Sequence, residues 1–549
     1  MKHVFLLIFL FAGFGTKAQF FNSHHQYTYQ DTLRGSITSE RAWWDVSYYD
    51  LYVAVDIDNK FLKGTNYIEF TALESHDVLQ IDLQKPMNIT AITHEGAEVP
   101  FDREGNAFFV RLPQKIEKGT QSSITVSFEG QPKISTLPPW IGGFTWKKDK
   151  AGNHHIANAN QGDGASLWWP CKDHGYDEAD SLSIAVNVPK GYTDVSNGIL
   201  LKTDHKDDGT TTFHWHVSNP INNYGVNISI AKYAHFGEVY NGLNGPLAVN
   251  YYVLSENLEK AKEHFKQVPQ MLEAFEHWFG PYPFYEDGFK LIEVPYLGME
   301  HQSAVTYGNG YQNGYRGRDR SNSGYGLLFD FIIIHEAGHE WFANSISHQD
   351  VADLWIHESF TAYSESLFLE YFHGKEAGAQ YNIGKRLLIA NDRPIQGTYG
   401  VHQEGSSDMY MKGANMLHML RQVVPDSTWL GYMRGLNETF FHKTVSSTLI
   451  EQYTMRFLEL DLRSFFNQYL RDTRIPILEY RRQGDQLVYR WTNCVDDFSF
   501  PIRISVNGES LWIEPSTQTQ TIPIKGEGLH LVVDENFYVG SLNLSLIHI

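Results

Sequence analysis

The sequence predicts an α+β multidomain chain: an N-terminal all-β domain, a mostly helical domain and a small C-terminal β-sandwich. Three observations carry that prediction. Apolar residues alternate with period two between about residues 40 and 245, as Leu51, Val53, Val55 and Ile57 do against Tyr52, Ala54 and Asp56. After Asn250 the apolar residues fall instead on helical stripes. Beyond Pro476, short strands and turn pairs return. A chain of 549 residues can hold about two to four domains with cores of their own.

The expected divisions are residues 1–18, 19–245, 246–475 and 476–549. Residues 1–18 read as a secretory signal. Lys2 and His3 precede an apolar run too short to span a bilayer, and Ala18 is a small residue before the cut. No later stretch is long and apolar enough to cross a membrane, so the processed chain is expected in the periplasm or outside the cell. The formal charge of −20 argues against a nucleic-acid partner, which needs a basic face. Cys171 and Cys494, two cysteines far apart in the chain, make no disulfide framework and are expected as packed, unpaired thiols. The sequence does not speak to oligomeric state.

In the β region, Asp58-Asn59-Lys60 and Glu104-Gly105-Asn106 mark turns. The segment from Asn158 to Gly164 stands out, with Gln161 and Asp163 among glycines and asparagines. It reads as a surface turn; if the strand persisted, Gln161 and Asp163 would be expected to alternate in direction. Residues 256–279 are expected as one helix, kinked by Pro269 and ended by Gly280-Pro281. Residues 289–294 form a short strand leading into Leu297-Gly298-Met299-Glu300-His301. There Gly298 and Met299 beside Glu300 either offer backbone groups to an extended peptide or simply end a strand. Residues 307–326, rich in Gly, Asn, Tyr and Arg, read as a long surface loop or lid.

The next stretch organises the chain. An apolar run over residues 327–334 reads as a buried helix entering His335-Glu336-Ala337-Gly338-His339. Positions i and i+4 share a helix face, so His335 and His339 can grip one metal ion, while Glu336 reaches a water beside it. Glu358 supplies a third donor. Two imidazoles and one carboxylate leave one tetrahedral position open, the catalytic form of a zinc site, with one Zn2+ per chain. Further on, Tyr410 opens a helix running past Met416 and Leu420, either as packing or as a hydroxyl aimed at the site. Helices continue to about Leu470, residues 473–476 form a linker, and turns at Asn507-Gly508 and Lys525-Gly526 punctuate the sandwich. There is no internal repeat.

These residues resemble the zinc aminopeptidases related to membrane alanyl aminopeptidase and leukotriene hydrolase, over nearly the whole chain after residue 18. The resemblance is strongest over residues 279–420. It rests on His335, Glu336, His339 and Glu358 at the family spacing, and on the flanking Trp341-Phe342-Ala343-Asn344 and Asp353-Leu354-Trp355. It implies a thermolysin-like catalytic domain over 246–475 and peptide substrates with a free N-terminus. By resemblance, Glu300 in the Gly-x-Met-Glu-Asn motif binds the substrate amine, with Leu297 and His301 replacing the family's Gly and Asn. Gln161 and Asp163 match a Gln-x-Glu pair that assists it. Tyr410 matches the oxyanion-stabilising tyrosine. The helical domain that follows the sandwich in larger relatives is not seen here, which implies a more open site. Competing expectations are a zinc endopeptidase, an epoxide hydrolase and an inactive peptide-binding scaffold.

Overall fold

The computed structural model describes residues 26–526 and 528–546, so the expected leader at 1–18 and the last three residues lie outside the described residues. The N-terminal region is built on an eight-stranded sheet. Its centre is the strand Trp44–Asp56, antiparallel to Phe61–Ala72 and parallel to Ser181–Pro189. Leu51, Val53 and Val55 point into the core while Asp56 faces solvent, as period two requires. A four-stranded sheet carries the strand His154–Ala159, whose end delivers the turn that holds Gln161.

The hairpin Tyr233–Gly242 and Gly245–Leu254 belongs to the next unit. It pairs with Phe289–Glu293 in a five-stranded sheet whose edge strand is Gly298–Met299. A division at residue 245 would cut this hairpin; the sheet itself starts at Tyr233.

The helix expected over 256–279 is two helices, Leu258–His264 and Gln267–Phe279. The break falls at Phe265 and Lys266, before Pro269. Pro269 sits in the first turn of the second helix, where a missing N–H leaves no intrahelical bond unmade. Burial of Met271, Leu272, Phe275 and Phe279 against the sheet holds that helix in place.

The C-terminal region packs a four-stranded sheet near a three-stranded one. Asn507 (φ 51°) and Gly508 (φ 88°) make the left-handed turn that joins Ile502–Val506 to Glu509–Ile513. Residues 472–476 connect it to the helices, yet the two regions share one apolar core, with Phe465 stacked on Phe500 at 4.4 Å. Cys171 and Cys494 are buried and unpaired. Among the described residues, no helix is long and apolar enough to cross a membrane.

The functional cleft lies where the β domain meets the helical domain. Ile292, Val294, Tyr296 and Met299 pack into the β-domain core although they lie on or beside strands of the catalytic sheet. Tyr296 donates to Asn158 O at 2.6 Å and Asn197 to Gln302 O at 2.7 Å. These bonds clamp the segment carrying Glu300 against the β domain.

Candidate metal centre and its cleft

The ligand helix is shorter than its apolar run. It spans Phe331–Gly338, and Leu327 and Leu328 lie outside it, 46% and 47% exposed. Asp330 sets the start: its buried carboxylate accepts from Ile332 N at 2.9 Å, satisfying a first-turn donor. The same carboxylate holds His264, Tyr307 and Asn309 at 2.7, 2.8 and 2.9 Å. The segment over 307–326, expected as a long surface loop or lid, is therefore tied to the ligand helix, with Gly314 N also bonded to Phe329 O at 2.7 Å. His339 keeps helical dihedrals as the cap residue, so the i, i+4 geometry survives through the last turn.

Both histidines are oriented from behind. His335 Nδ1 lies 2.8 Å from Glu365 Oε1, and His339 Nδ1 donates to Phe342 O at 3.0 Å. That leaves each Nε2 facing Glu358 Oε2, at 3.7 and 3.4 Å. Glu358 comes from the helix Trp355–His373 and is fully buried, yet its Oε2 takes no hydrogen bond. Donors sharing one tetrahedral zinc at about 2.0–2.1 Å stand roughly 3.4 Å apart, which matches these separations. Burial opposes charge on His335, but contacts with Glu358 and Glu365 push it up to about 10. Burial likewise works against charge on Glu358, but His339 and His335 hold it well below the usual carboxylate range. The donor set thus calls for positive charge at its centre. One divalent cation supplies that charge and leaves both imidazoles neutral, the form that ligates. The residues fit a single zinc, held by His335, His339 and Glu358.

Around them is a cavity of about 310 Å³ lined by Glu300, Glu336, Gly298, Met299, Gln161 and Tyr410 as well as the three donors. Burial pushes the Glu336 carboxyl up to about 7, with His335 acting against it. Gly298 lets the edge strand lie against this base. A Cβ there would stand 2.6 Å from Ile332 Cγ2 and 3.0 Å from Glu336 Oε1. Met299 is buried, and its carbonyl accepts from Thr306 Oγ1 at 3.1 Å, fixing the strand edge. The Tyr410 ring stacks on His335 at 5.9 Å, and burial together with Glu358 and Glu300 raises its hydroxyl pKa well above the usual value.

Glu300 is buried, and desolvation raises its pKa. Its Oε1 accepts from Gln161 Nε2 at 2.7 Å and from Tyr224 OH at 3.2 Å. Gln161 Nε2 also donates to Glu358 Oε1 at 2.7 Å. A single amide therefore joins Glu300 to a metal donor.

Asp163 does not share this arrangement, contrary to expectation. Its carboxylate pairs with Lys133 at 3.0 Å and accepts from Gly142 N at 2.6 Å. The chain turns at Gly162 (φ 77°) and Gly164 (φ 88°), which separates Asp163 from Gln161. His301 is fully buried with both ring nitrogens unpartnered, and burial lowers its pKa to about 3.

Sequence reasoning did not single out Tyr224, Glu365, Tyr381 or Lys385. Glu365 was findable, because it lies seven residues after Glu358 on the same helix face. Tyr381 OH and Lys385 Nζ bond Glu365 Oε2 at 2.6 and 2.9 Å, which keeps this buried carboxylate ionised and its partner imidazole fixed. Tyr224 reaches Glu300 from the β domain and carries no local signal.

Fold and donor set together define a gluzincin-type zinc metalloprotein. Residues 46–224 match the Peptidase M1 N-terminal domain and residues 263–469 the Peptidase family M1 domain. The chain belongs to peptidase family M1. It is 21% identical over 429 residues to endoplasmic reticulum aminopeptidase 1 of Homo sapiens, covering 73% of this chain and 44% of that protein. It is 22% identical over 416 residues to aminopeptidase N of Lactobacillus delbrueckii subsp. lactis, covering 72% and 46%. The chain thus spans under half the length of these curated relatives. A mutant M1 zinc metallopeptidase from Deinococcus radiodurans, solved with a Tyr-Ser-Ala substrate, shares the fold. Its TM-score is 0.64 at 21% identity, over 79% of this chain and 95% of that one.

Proposed function

We propose that this chain is a zinc-dependent aminopeptidase that removes residues from the free N-terminus of peptides. One observation carries the reading. Gln161 Nε2 lies 2.7 Å from both Glu300 and Glu358, so a carboxylate suited to an ammonium group sits one side chain away from the metal donors. A substrate amine held there leaves only its first peptide bond within reach of Glu336.

Zinc, when bound, supplies a Lewis acid and brings the pKa of a water towards about 7. The chain's own groups do the rest. Glu336 takes a proton from the attacking water and delivers it to the leaving nitrogen. The Tyr410 hydroxyl, kept protonated by its raised pKa, donates to the oxygen that gains charge. Glu300, positioned by Gln161 and Tyr224, fixes the register through the ammonium. Gly298 allows the substrate-side strand to approach Glu336.

Aminoacyl chromogenic amides test this reading. The expected result is chromophore release that stops with a chelator, returns with zinc, and is absent when the amine is acetylated. Equal turnover of acetylated substrates would instead support an endopeptidase, and no turnover of any substrate would support an inactive peptide-binding scaffold. The same proposal places the processed protein in the periplasm or outside the cell, on the strength of residues 1–18. Fractionation of expressing cells tests that part: retention in the cytoplasm at full length would overturn it.

A further inference from the structure

The metal-bearing cavity also carries a cation that the chemistry above does not use. Arg320 lines the same cavity as His335, Glu336 and Glu300. It stacks over Tyr315 at 4.8 Å and makes no hydrogen bond or ion pair among the described residues. Its neighbour Asp319 forms no ion pair with it; that carboxylate is turned to Ser321 N and Oγ and Gly324 N, at 2.8, 2.6 and 2.6 Å. Arg316 lies near the same Tyr315 ring and near Trp140, at 5.9 and 5.6 Å, without lining the cavity itself. In a chain of formal charge −20, a guanidinium stacked on an aromatic ring and facing an acidic cleft without a paired carboxylate is out of place as mere surface charge.

Their position gives the cleft a direction. Along the ligand helix, Glu300 lies at the His339 end, where donor atoms of Glu300, Glu336 and His339 all fall within 4.8 Å of one another. Arg320 lies at the opposite end. Tyr315 packs on Phe331 at 5.3 Å, and Phe331 stacks on His335 at 5.0 Å. An extended peptide advances roughly 3.5 Å per residue, so two or three residues beyond the scissile bond cover that run. The loop is not free to swing away. Arg316 N donates to Asn309 Oδ1 at 2.9 Å, and Asn309 Nδ2 donates to Asp330 Oδ1 at 2.9 Å, at the start of the ligand helix.

We propose that Arg320 forms a carboxylate subsite on the leaving-group side of the cleft. Its ligand is the C-terminal carboxylate of a short peptide. The cleft then reads both ends of a zwitterion, the ammonium at Glu300 and the carboxylate at Arg320, and favours peptides of about three to four residues. This rests on the aminopeptidase reading for the direction of the substrate, while the subsite itself rests on Arg320.

The test compares trialanine as free acid, trialanine amide, and an amide whose last residue is aspartate, on the zinc-loaded full chain. Charge-assisted hydrogen bonds predict that kcat/KM for the free acid exceeds that for the plain amide by about ten- to a hundredfold. Arg320→Met should bring that ratio towards one, with Arg320→Lys between. An aspartyl amide that behaves like the plain amide supports recognition of the main-chain carboxylate. One that behaves like the free acid supports a subsite for any carboxylate in reach. A ratio of one in the native chain, or an equal loss for acid and amide in Arg320→Met, overturns the proposal. Calorimetric binding of the same peptides to the zinc-loaded Glu336→Gln chain separates the two readings. Acid-selective binding without native hydrolysis keeps the subsite and removes the aminopeptidase; hydrolysis without acid selectivity does the reverse.

Discussion

The two walls of the cleft are built by different rules. The helical wall holds His335, His339, Glu358 and Glu365, and its geometry follows from residue spacing along two packed helices. The facing wall holds Glu300, Gln161 and Tyr224, drawn from a sheet edge, a turn and a distant β-domain segment. The first wall provides chemistry and the second provides register. Spacing within each helix and the packing of the two assemble the first, whereas the second exists only once the two domains have docked. Substitutions on the helical wall should therefore damage turnover or metal binding for every substrate. Those on the facing wall should discriminate between substrates.

The largest effect is expected for Glu336→Gln. Turnover should fall about a hundred- to ten-thousand-fold with zinc content unchanged, as expected for a lost general base. The native chain should also lose activity as pH falls through the region where Glu336 takes up a proton. Burial pushes that carboxyl up to about 7, and a bound cation would move the acid limb lower. A rate that rises on acidification would assign the base elsewhere.

Tyr410→Phe comes next. Losing one oxyanion donor should lower kcat about a hundred- to a thousand-fold with KM nearly unchanged. A change confined to KM would return Tyr410 to packing.

On the facing wall, Glu300→Ala should lower kcat/KM for free-amine substrates about ten- to a hundredfold, the worth of a charged hydrogen bond. Gln161→Ala should act in the same direction but less. Equal losses on acetylated substrates would erase the distinction between the walls.

Glu365→Gln returns to the helical wall from behind. Zinc affinity, measured by chelator competition, should weaken about ten- to a hundredfold. Unchanged affinity would make Glu365 a packing residue only.

The smallest effect is expected for Asp163→Asn. Its carboxylate serves Lys133 and Gly142, so kcat/KM should change by about twofold or less. A tenfold loss would bring Asp163 back into the amine site.

The contrast between the walls also explains what could be read from the chain alone. His335 and His339 were legible because helix periodicity is local, Glu358 by its place in the motif, and Glu365 was legible by the same periodicity two turns beyond Glu358. The architecture was legible because strand alternation, as in Leu51, Val53 and Val55, and helical stripes, as in Met271, Leu272 and Phe275, are local too. Three features were not. The ligand helix starts at Phe331 because Asp330 caps it, which the apolar run from Leu327 conceals. Pro269 marks a helix start and not a kink, because its effect depends on where the turn begins. Gln161 and Asp163 diverge because two left-handed glycines turn the chain between and after them. Tyr224 and Arg320 acquire meaning only from contacts made across the folded molecule.

The central claim is that an ammonium anchor at Glu300 fixes the cleavage point one residue from the chain's start. Mass spectrometry of products from one peptide, free or acetylated at its N-terminus, tests this most directly. The account predicts stepwise loss of single residues from the free peptide and an intact acetylated one. Internal fragments from either peptide would contradict it.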